Sequence, residues 1–459
     1  MKFVGDKNFY KRVMTVTLPM IIQNGISNFV NLLDNIMVGQ TGTEQMSGVS
    51  IANQIFFVYM LCIFGATSGA GIFGAQYYGK NDHEGVRYTF RFKLIICAIM
   101  LTIGTTVIYV FGPDFINLFL LGEAGTSDPV ATLNYGVGYS KIILYGLLPF
   151  TLASCYAGTL RECGETYHPM VASLMAVFIN LVLNYLLIFG KFGFPELGVN
   201  GAAIATTISR FVECIYLVIW TARHSSRMQF IKKAFRSLYL PWKLAKDIIR
   251  KGLPLMVNEL LFSLGMTTMN QLYSIRGLAV VAAMNIMSVA ANLFRVIFMS
   301  LGNAVAIMVG QLLGAGKMDE AEDTAHKLIA FSVFAGLVVS GLMVLTAPIF
   351  PKLYNTTEEI RHLAMVLLML LAIFMPIDAF CNACYFTIRS GGKTLITFIF
   401  DSMALWVVCI PVAFVIGHYT DLPITWMFIC VNGAKIVKIF IGTYLLKKGT
   451  WKHNIVNDK

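Results

Sequence analysis

Ten charged side chains stand inside long apolar runs of this sequence: Asp34, Lys141, Arg210, Glu213, Glu259, Arg295, Asp378, Asp401, Lys435 and Lys438. Moving an ionised group into hydrocarbon costs several kcal/mol, so such residues face a partner or a water-filled cavity. Asp34 lies four residues before the end of the run 13–38, about 6 Å inside that boundary at 1.5 Å per helical residue. In the run 168–190, Asn184 stands about 9 Å from the same side. Asn180 projects from the same helical face one turn deeper. A carboxylate beside amide oxygens can hold a small cation such as Na+, or it can carry a proton. The same three side chains could instead do no more than hydrogen-bond helices together, as polar residues do in membrane bundles.

The second half carries its own set. Glu259 and Asp401 are each roughly 9 Å inside the other boundary, and Asp378 is nearer the middle. Arg295, Lys435 and Lys438 lie at comparable depths. Glu259, Asp378, Asp401 and Arg295 are therefore candidates for substrate or ion contact. Three acids against three bases would equally make an ion-paired lattice. Arg210 and Glu213, three apart on one helix, read as a local pair. Lys141 is long enough to snorkel to the surface, and a salt bridge from it to Asp34 would count against a cation site. No HExxH, GxSxG or P-loop pattern is present, so no catalytic residue and no enzymatic activity are expected. Cys381-x-x-Cys384 lacks a second pair or a nearby histidine and reads as packing. No resident metal or cofactor is expected.

These residues must be positioned by membrane-spanning helices. Charged residues make up 13% of the chain, about half the usual 25%, and the mean hydropathy is +0.70. A span needs about 20 mostly apolar residues. Twelve stretches qualify: 13–38, 49–75, 92–112, 134–157, 168–190, 198–220, 252–275, 282–311, 327–348, 361–388, 394–416 and 423–446. The first is too long for a signal peptide and contains Asp34. The net charge of +11 does not indicate nucleic acid, because the bases gather in alternate loops. Segments 2–12, 80–93, Arg161, 223–251, 317–327, 389–393 and 447–459 hold 26 of the 35 Lys and Arg residues, against four in the opposite loops. By the positive-inside rule both termini are cytoplasmic. The expected outer loops are 39–48, 113–130, 191–197, 276–281, 349–360 and 417–422.

The chain also repeats itself. Laying Leu18-Pro19 on Leu253-Pro254 without a gap sets Asn35 on Asn270, Gly42 on Gly277, and Gln76-x-x-Gly79 on Gln311-x-x-Gly314. Arg161-x-x-Gly164-x-Thr166 answers Arg389-x-x-Gly392-x-Thr394 after a seven-residue slip. Internal repeats in an apolar chain are the mark of transporters built from two similar bundles. The expected division is a bundle over 1–222, a basic cytoplasmic linker over 223–251 and a second bundle over 252–459.

Ordered along the chain, these segments resemble the multidrug and toxic compound extrusion (MATE) transporters. The resemblance rests on Leu32-Leu33-Asp34-Asn35-Ile36-Met37-Val38-Gly39, Gln76-Tyr77-Tyr78-Gly79, and Arg161-x-x-Gly164-x-Thr166-x-x-Pro169. It continues through Asn180-x-x-x-Asn184-Tyr185-x-x-Ile188-Phe189-Gly190 and Gly198-Val199-x-Gly201-Ala202-Ala203-x-Ala205-Thr206. It implies an all-α polytopic membrane protein of twelve helices, in two pseudo-symmetric six-helix bundles forming a V. It further implies antiport of amphipathic, often cationic, small molecules against Na+ or H+, by a functional monomer in the cell membrane. Asp34 matches the family's first-span acid, beside polar residues matching Asn180, Asn184 and Thr206. Many relatives have Asp where this chain has Asn184, and the seventh-span acid of some stands about a turn after Glu259. Asp378 fits better, eleven residues before the arginine of its motif. A lipid-linked precursor flippase of the same superfamily would share the fold but need a basic cavity; here the intramembrane acids and bases balance at five each. A membrane enzyme or receptor would need features that are not visible.

The charge asymmetry yields a direct test. In a cysteine-free background, single cysteines introduced into 223–251 should react with impermeant thiol reagents only from the cytoplasmic side. Labelling from outside intact cells would overturn the orientation.

Overall fold

The computed structural model describes residues 4–120 and 128–457, and its regular structure is helical throughout. Twelve long helices follow one another: α1 (Lys7–Gly39), α2 (Thr43–Gly79), α3 (His83–Leu120), α4 (Pro129–Glu162), α5 (Tyr167–Phe189) and α6 (Gly198–Arg223), then α7 (Trp242–Ser274), α8 (Leu278–Gly314), α9 (Met318–Thr346), α10 (Glu358–Ser390), α11 (Thr394–Tyr419) and α12 (Ile424–Lys448). Each covers one of the twelve apolar stretches to within two residues. Among the described residues, eleven of these helices are long and apolar enough to cross a membrane. The exception is α7, whose middle carries Asn258, Glu259, Ser263, Thr267, Thr268, Asn270 and Gln271.

Several helices outrun their apolar cores. α3 continues to Leu120, so the first part of the expected outer loop 113–130 is helical; residues 121–127 lie outside the described residues. Helix ends follow local chemistry. Asp128 caps α4 by accepting from the backbone N–H of Val130 and Ala131, with Pro129 at the first position. α5 stops at Gly190, whose φ of +62° suits glycine. In α11 the backbone widens into π-type turns at Ile399–Met403 and Leu405–Cys409, on both sides of Asp401 and beyond it. α12 is interrupted at Lys435.

The chain gathers into two compact units. One holds Ile22–Gly74 and His83–Lys246. In it α4 and α5 both pack on α6, and α3 packs on α4. Close approach is bought with glycine: a Cβ on Gly201 would strike the Leu187 backbone. Much of the linker also belongs to this unit. Phe230 is buried against the Phe90 ring. The buried Arg91 guanidinium donates to the carbonyls of Lys233, Ala234 and Tyr239 at 2.7, 2.8 and 3.1 Å. The residues from 242 onward are already α7.

The other unit holds the chain through Ile21, then Ala75–Asp82, then Asp247 to the end. α8 and α9 pack on α10, and Cys381 and Cys384 lie within that apolar core. Here the repeated Gln-x-x-Gly motifs meet. A Cβ on Gly79 would collide with the Gln311 carbonyl, and one on Gly314 with the Gln76 carbonyl. The wholly buried Gln76 donates to the carbonyls of Ser390 (2.9 Å) and His453 (3.1 Å), and accepts from the Ile455 N–H (2.9 Å). The tail is thereby seated: Trp451 is 0% exposed and its carbonyl lies where a Cβ on Gly391 would fall. Lys452 pairs with Glu322.

Gly314→Val should therefore force the helix ends apart. Overpacking of this kind costs about 1–3 kcal/mol, and a lowered thermal midpoint in detergent should report it. Gly316→Val, where no atom lies near the added Cβ but φ is +77°, separates backbone strain from collision.

Candidate functional site

In the unit that contains most of the first half, α1 delivers Asp34, α5 delivers Asn180 and Asn184, and α6 delivers Thr206. The Asn184 amide donates to Asp34 Oδ1 at 2.8 Å. The orientation of the Asn180 amide that satisfies both its ends puts its nitrogen 2.9 Å from Asp34 Oδ2 and its oxygen 3.2 Å from Thr206 Oγ1. All four side chains thus form one constellation. Asn180 is 6% and Asn184 1% exposed. Asp34 is half-buried. Asn184 Oδ1 is buried and has no donor among the described residues. A buried acceptor left unpaired costs about 1–3 kcal/mol, and this one stands beside a carboxylate.

Arg210 is the basic group whose field reaches Asp34. It is held by Glu213 at 3.0 Å and stacks over Phe150 at 5.2 Å. The expected local pair exists, and it also stands next to the site. That neighbour was legible: Arg210 is four residues after Thr206, hence on the same face. Lys141 is exposed, and among the described residues no ion pair joins it to Asp34. Tyr139, which donates to Asn53 Oδ1 at 3.3 Å, completes the surroundings.

In the other unit the acids are met differently. Asp378 pairs with Lys435 at 3.2 Å and Asp401 with Lys438 at 2.8 Å. Asp401 Oδ2 also accepts from Asn258 Nδ2 at 3.4 Å, and Ser402 Oγ donates to Asn258 Oδ1 at 2.7 Å. Glu259 and Arg295 are both half-buried, and the structure does not bring them together. The charges felt by Glu259 are those of Arg389 and Asp401. Asn258 was missed as a site residue, although the ungapped repeat sets it on Gln23, which accepts from Arg161 at 3.0 Å.

A third arrangement was also missed. Lys93, 0% exposed, donates to Glu162 at 2.6 Å and to Thr159 at 3.1 Å. Gly71 and Gly74 leave the room that the Glu162 carboxylate fills. Lys93 had been counted with a cytoplasmic basic loop. The structure places it nearly three turns into α3, which begins at His83.

A repeated helical membrane architecture with a buried carboxylate–amide cluster defines a membrane transporter rather than an enzyme. The MatE family model matches residues 19–186 and 254–415, and the chain belongs to that family. It is 27% identical over 456 residues to the probable multidrug resistance protein NorM of Thermotoga maritima, covering 97% of this chain and 94% of that protein. It is 26% identical over 444 residues to the probable multidrug resistance protein YoeA of Bacillus subtilis, covering 95% and 92%. The fold is similar to that of a multidrug resistance MATE family transporter of the MOP superfamily solved in an outward-facing conformation, with a TM-score of 0.85, 22% identity and 97% of each chain covered.

The paired acids can be tested apart from transport. Lys438→Met leaves Asp401 partly buried without its cation and should destabilise the protein by about 2 kcal/mol. Lys438→Met with Asp401→Leu should recover part of the loss. Thermal midpoints in detergent read both; an unchanged midpoint in the single variant would remove the pair from the account of stability.

Proposed function

We propose that this protein is a secondary active antiporter of the cell membrane that exports amphipathic, often cationic, small molecules in exchange for inward-moving Na+ or H+. Asp34 is its coupling residue. The observation that carries this reading is the unpaired Asn184 Oδ1 beside the Asp34 carboxylate. With Asn180 Oδ1 and Thr206 Oγ1 they form an oxygen-rich set on three helices. Asn180 can offer either end of its amide. Its nitrogen serves the bare carboxylate, and its oxygen, after a half-turn of the amide, serves a cation held there. The names of the relatives support drug export, and the paired state of Lys435 and Lys438 speaks against the open basic surface that a lipid-linked phosphate would need.

Exchange requires each ligand to prefer a different state of the transporter. Ion at Asp34 favours the state that releases substrate outward, and its departure inward resets the site. On this reading the halves 1–222 and 252–459 alternate access as two bundles joined by 223–251, within a monomer.

Asp34→Asn keeps size and hydrogen bonding but removes the charge and the exchangeable proton. Reconstituted in vesicles with imposed Na+ or H+ gradients, the variant should still bind substrate yet no longer accumulate it. A tenfold fall in the coupled rate corresponds to about 1.4 kcal/mol, and complete loss is expected. Asn180→Ala and Asn184→Ala should weaken ion dependence without abolishing it. Gradient-driven transport by Asp34→Asn at the native rate would refute the assignment.

A further inference from the structure

α8 carries a polar stripe that an apolar span does not need. Asn285, Ser288, Asn292, Arg295 and Met299 recur at intervals of three and four, so they lie on one face. All are exposed except Arg295, which is half-buried. Around them the helix is apolar, with Ala291, Val296, Phe298 and Leu301 packed inward. Arg295 lies near the middle of this 37-residue helix. Among the described residues neither a carboxylate nor a hydrogen-bond acceptor engages it, whereas Asp378 and Asp401 are taken by Lys435 and Lys438.

The repeated fold does not demand this charge. The ungapped register sets the same face of α2 on Ser50, Asn53, Phe57, Met60 and Phe64, all exposed, so Met60 stands where α8 has Arg295. An arginine at span depth without a partner does not face lipid. Polar neighbours on both adjoining turns make its side of α8 a wet one. The planar guanidinium matches a carboxylate, sulfonate or phosphate with two parallel hydrogen bonds.

We propose that Arg295 is a substrate-binding residue that pairs with an anionic group of an amphipathic substrate, so that the exported compounds include organic anions and zwitterions as well as cations. The proposal rests on the antiporter reading and adds a substrate class to it. Met299, one turn along and exposed, offers an adaptable apolar surface for the body of such a molecule.

A matched dye pair isolates the interaction: rhodamine B, a zwitterion with a free carboxylate, and its ethyl ester, which keeps only the cation. Equilibrium binding to the purified full chain in lipid nanodiscs, without any gradient, should favour the acid over the ester by about tenfold, the scale of one charge-assisted contact. In Arg295→Gln that ratio should fall to about one while ester affinity is unchanged. Arg295→Lys should keep part of the preference, since it retains the charge but not the fork. Thermal midpoints measured alongside identify a variant that has merely lost its fold, in which case Arg295→Lys decides. An equal acid-to-ester ratio in native protein and Arg295→Gln, or a ratio in Arg295→Lys no different from one, overturns the proposal. If the native protein binds neither dye, the drug-export reading fails with it. If it binds both but discriminates by something other than Arg295, only the present inference fails.

Discussion

A charge withdrawn from water must be answered by an opposite charge, by aligned dipoles or by a ligand. The placement of polar residues in this protein follows from that demand. Lys93 and Glu162 answer each other completely, and two glycines on a neighbouring helix make the space. Asp378 and Asp401 are answered by lysines at the interrupted turn of α12. Each pair is complete without any solute. Asp34 differs in that amide dipoles surround it and an acceptor oxygen beside it is unanswered. Buried carboxylates are thus met in two ways. Glu162, Asp378 and Asp401 are neutralised by lysines of the chain, whereas Asp34 is met by amide donors.

The backbone obeys the same rule. Peptide groups at membrane depth have no water to bind, so irregular turns persist only where something else satisfies them. The first widened turn of α11 contains Asp401, the residue that Lys438 and Asn258 engage, and the second follows it. At the ends of α2 and α8, symmetry turns repeated letters into reciprocal contacts. Each Gln-x-x-Gly segment supplies the glycine that admits the other's backbone. Gln76 also reads the tail, through the His453 carbonyl and the Ile455 N–H, while it holds the Ser390 carbonyl.

Much of this was legible in the residues alone. Every helix of the fold was marked by an apolar run, and the Asp34, Asn180 and Asn184 cluster by depth and helical phase. The repeat identified Gln76 and Gln311 as special without saying that their motifs touch. What escaped did so for physical reasons. Lys93 sits beside Arg91 in a basic stretch, and nothing local distinguishes a lysine that bends into the core from one left in water. Its partner is 69 residues away. Charge complementarity at a distance has no period. The linker likewise read as a tether, because nine bases hide the few apolar residues, Met228 and Phe230 among them, that bury themselves. Pairing within the second half could be anticipated in number but not in partners, since three acids and three bases at one depth admit many matchings.

The seating of the tail bears on the order in which the molecule is made. Trp451 and Ile455 are interior residues, and the same unit also contains the chain through Ile21. Val13 and Trp451, more than 400 residues apart, are thus constituents of one core. Ile22–Gly74 and His83–Lys246 can condense while synthesis continues, but the other unit cannot close until Trp451 and Ile455 have been made. Its contacts span nearly the whole sequence, the separation that slows folding most. A membrane protein inserted helix by helix therefore completes this unit only after all twelve helices have been made.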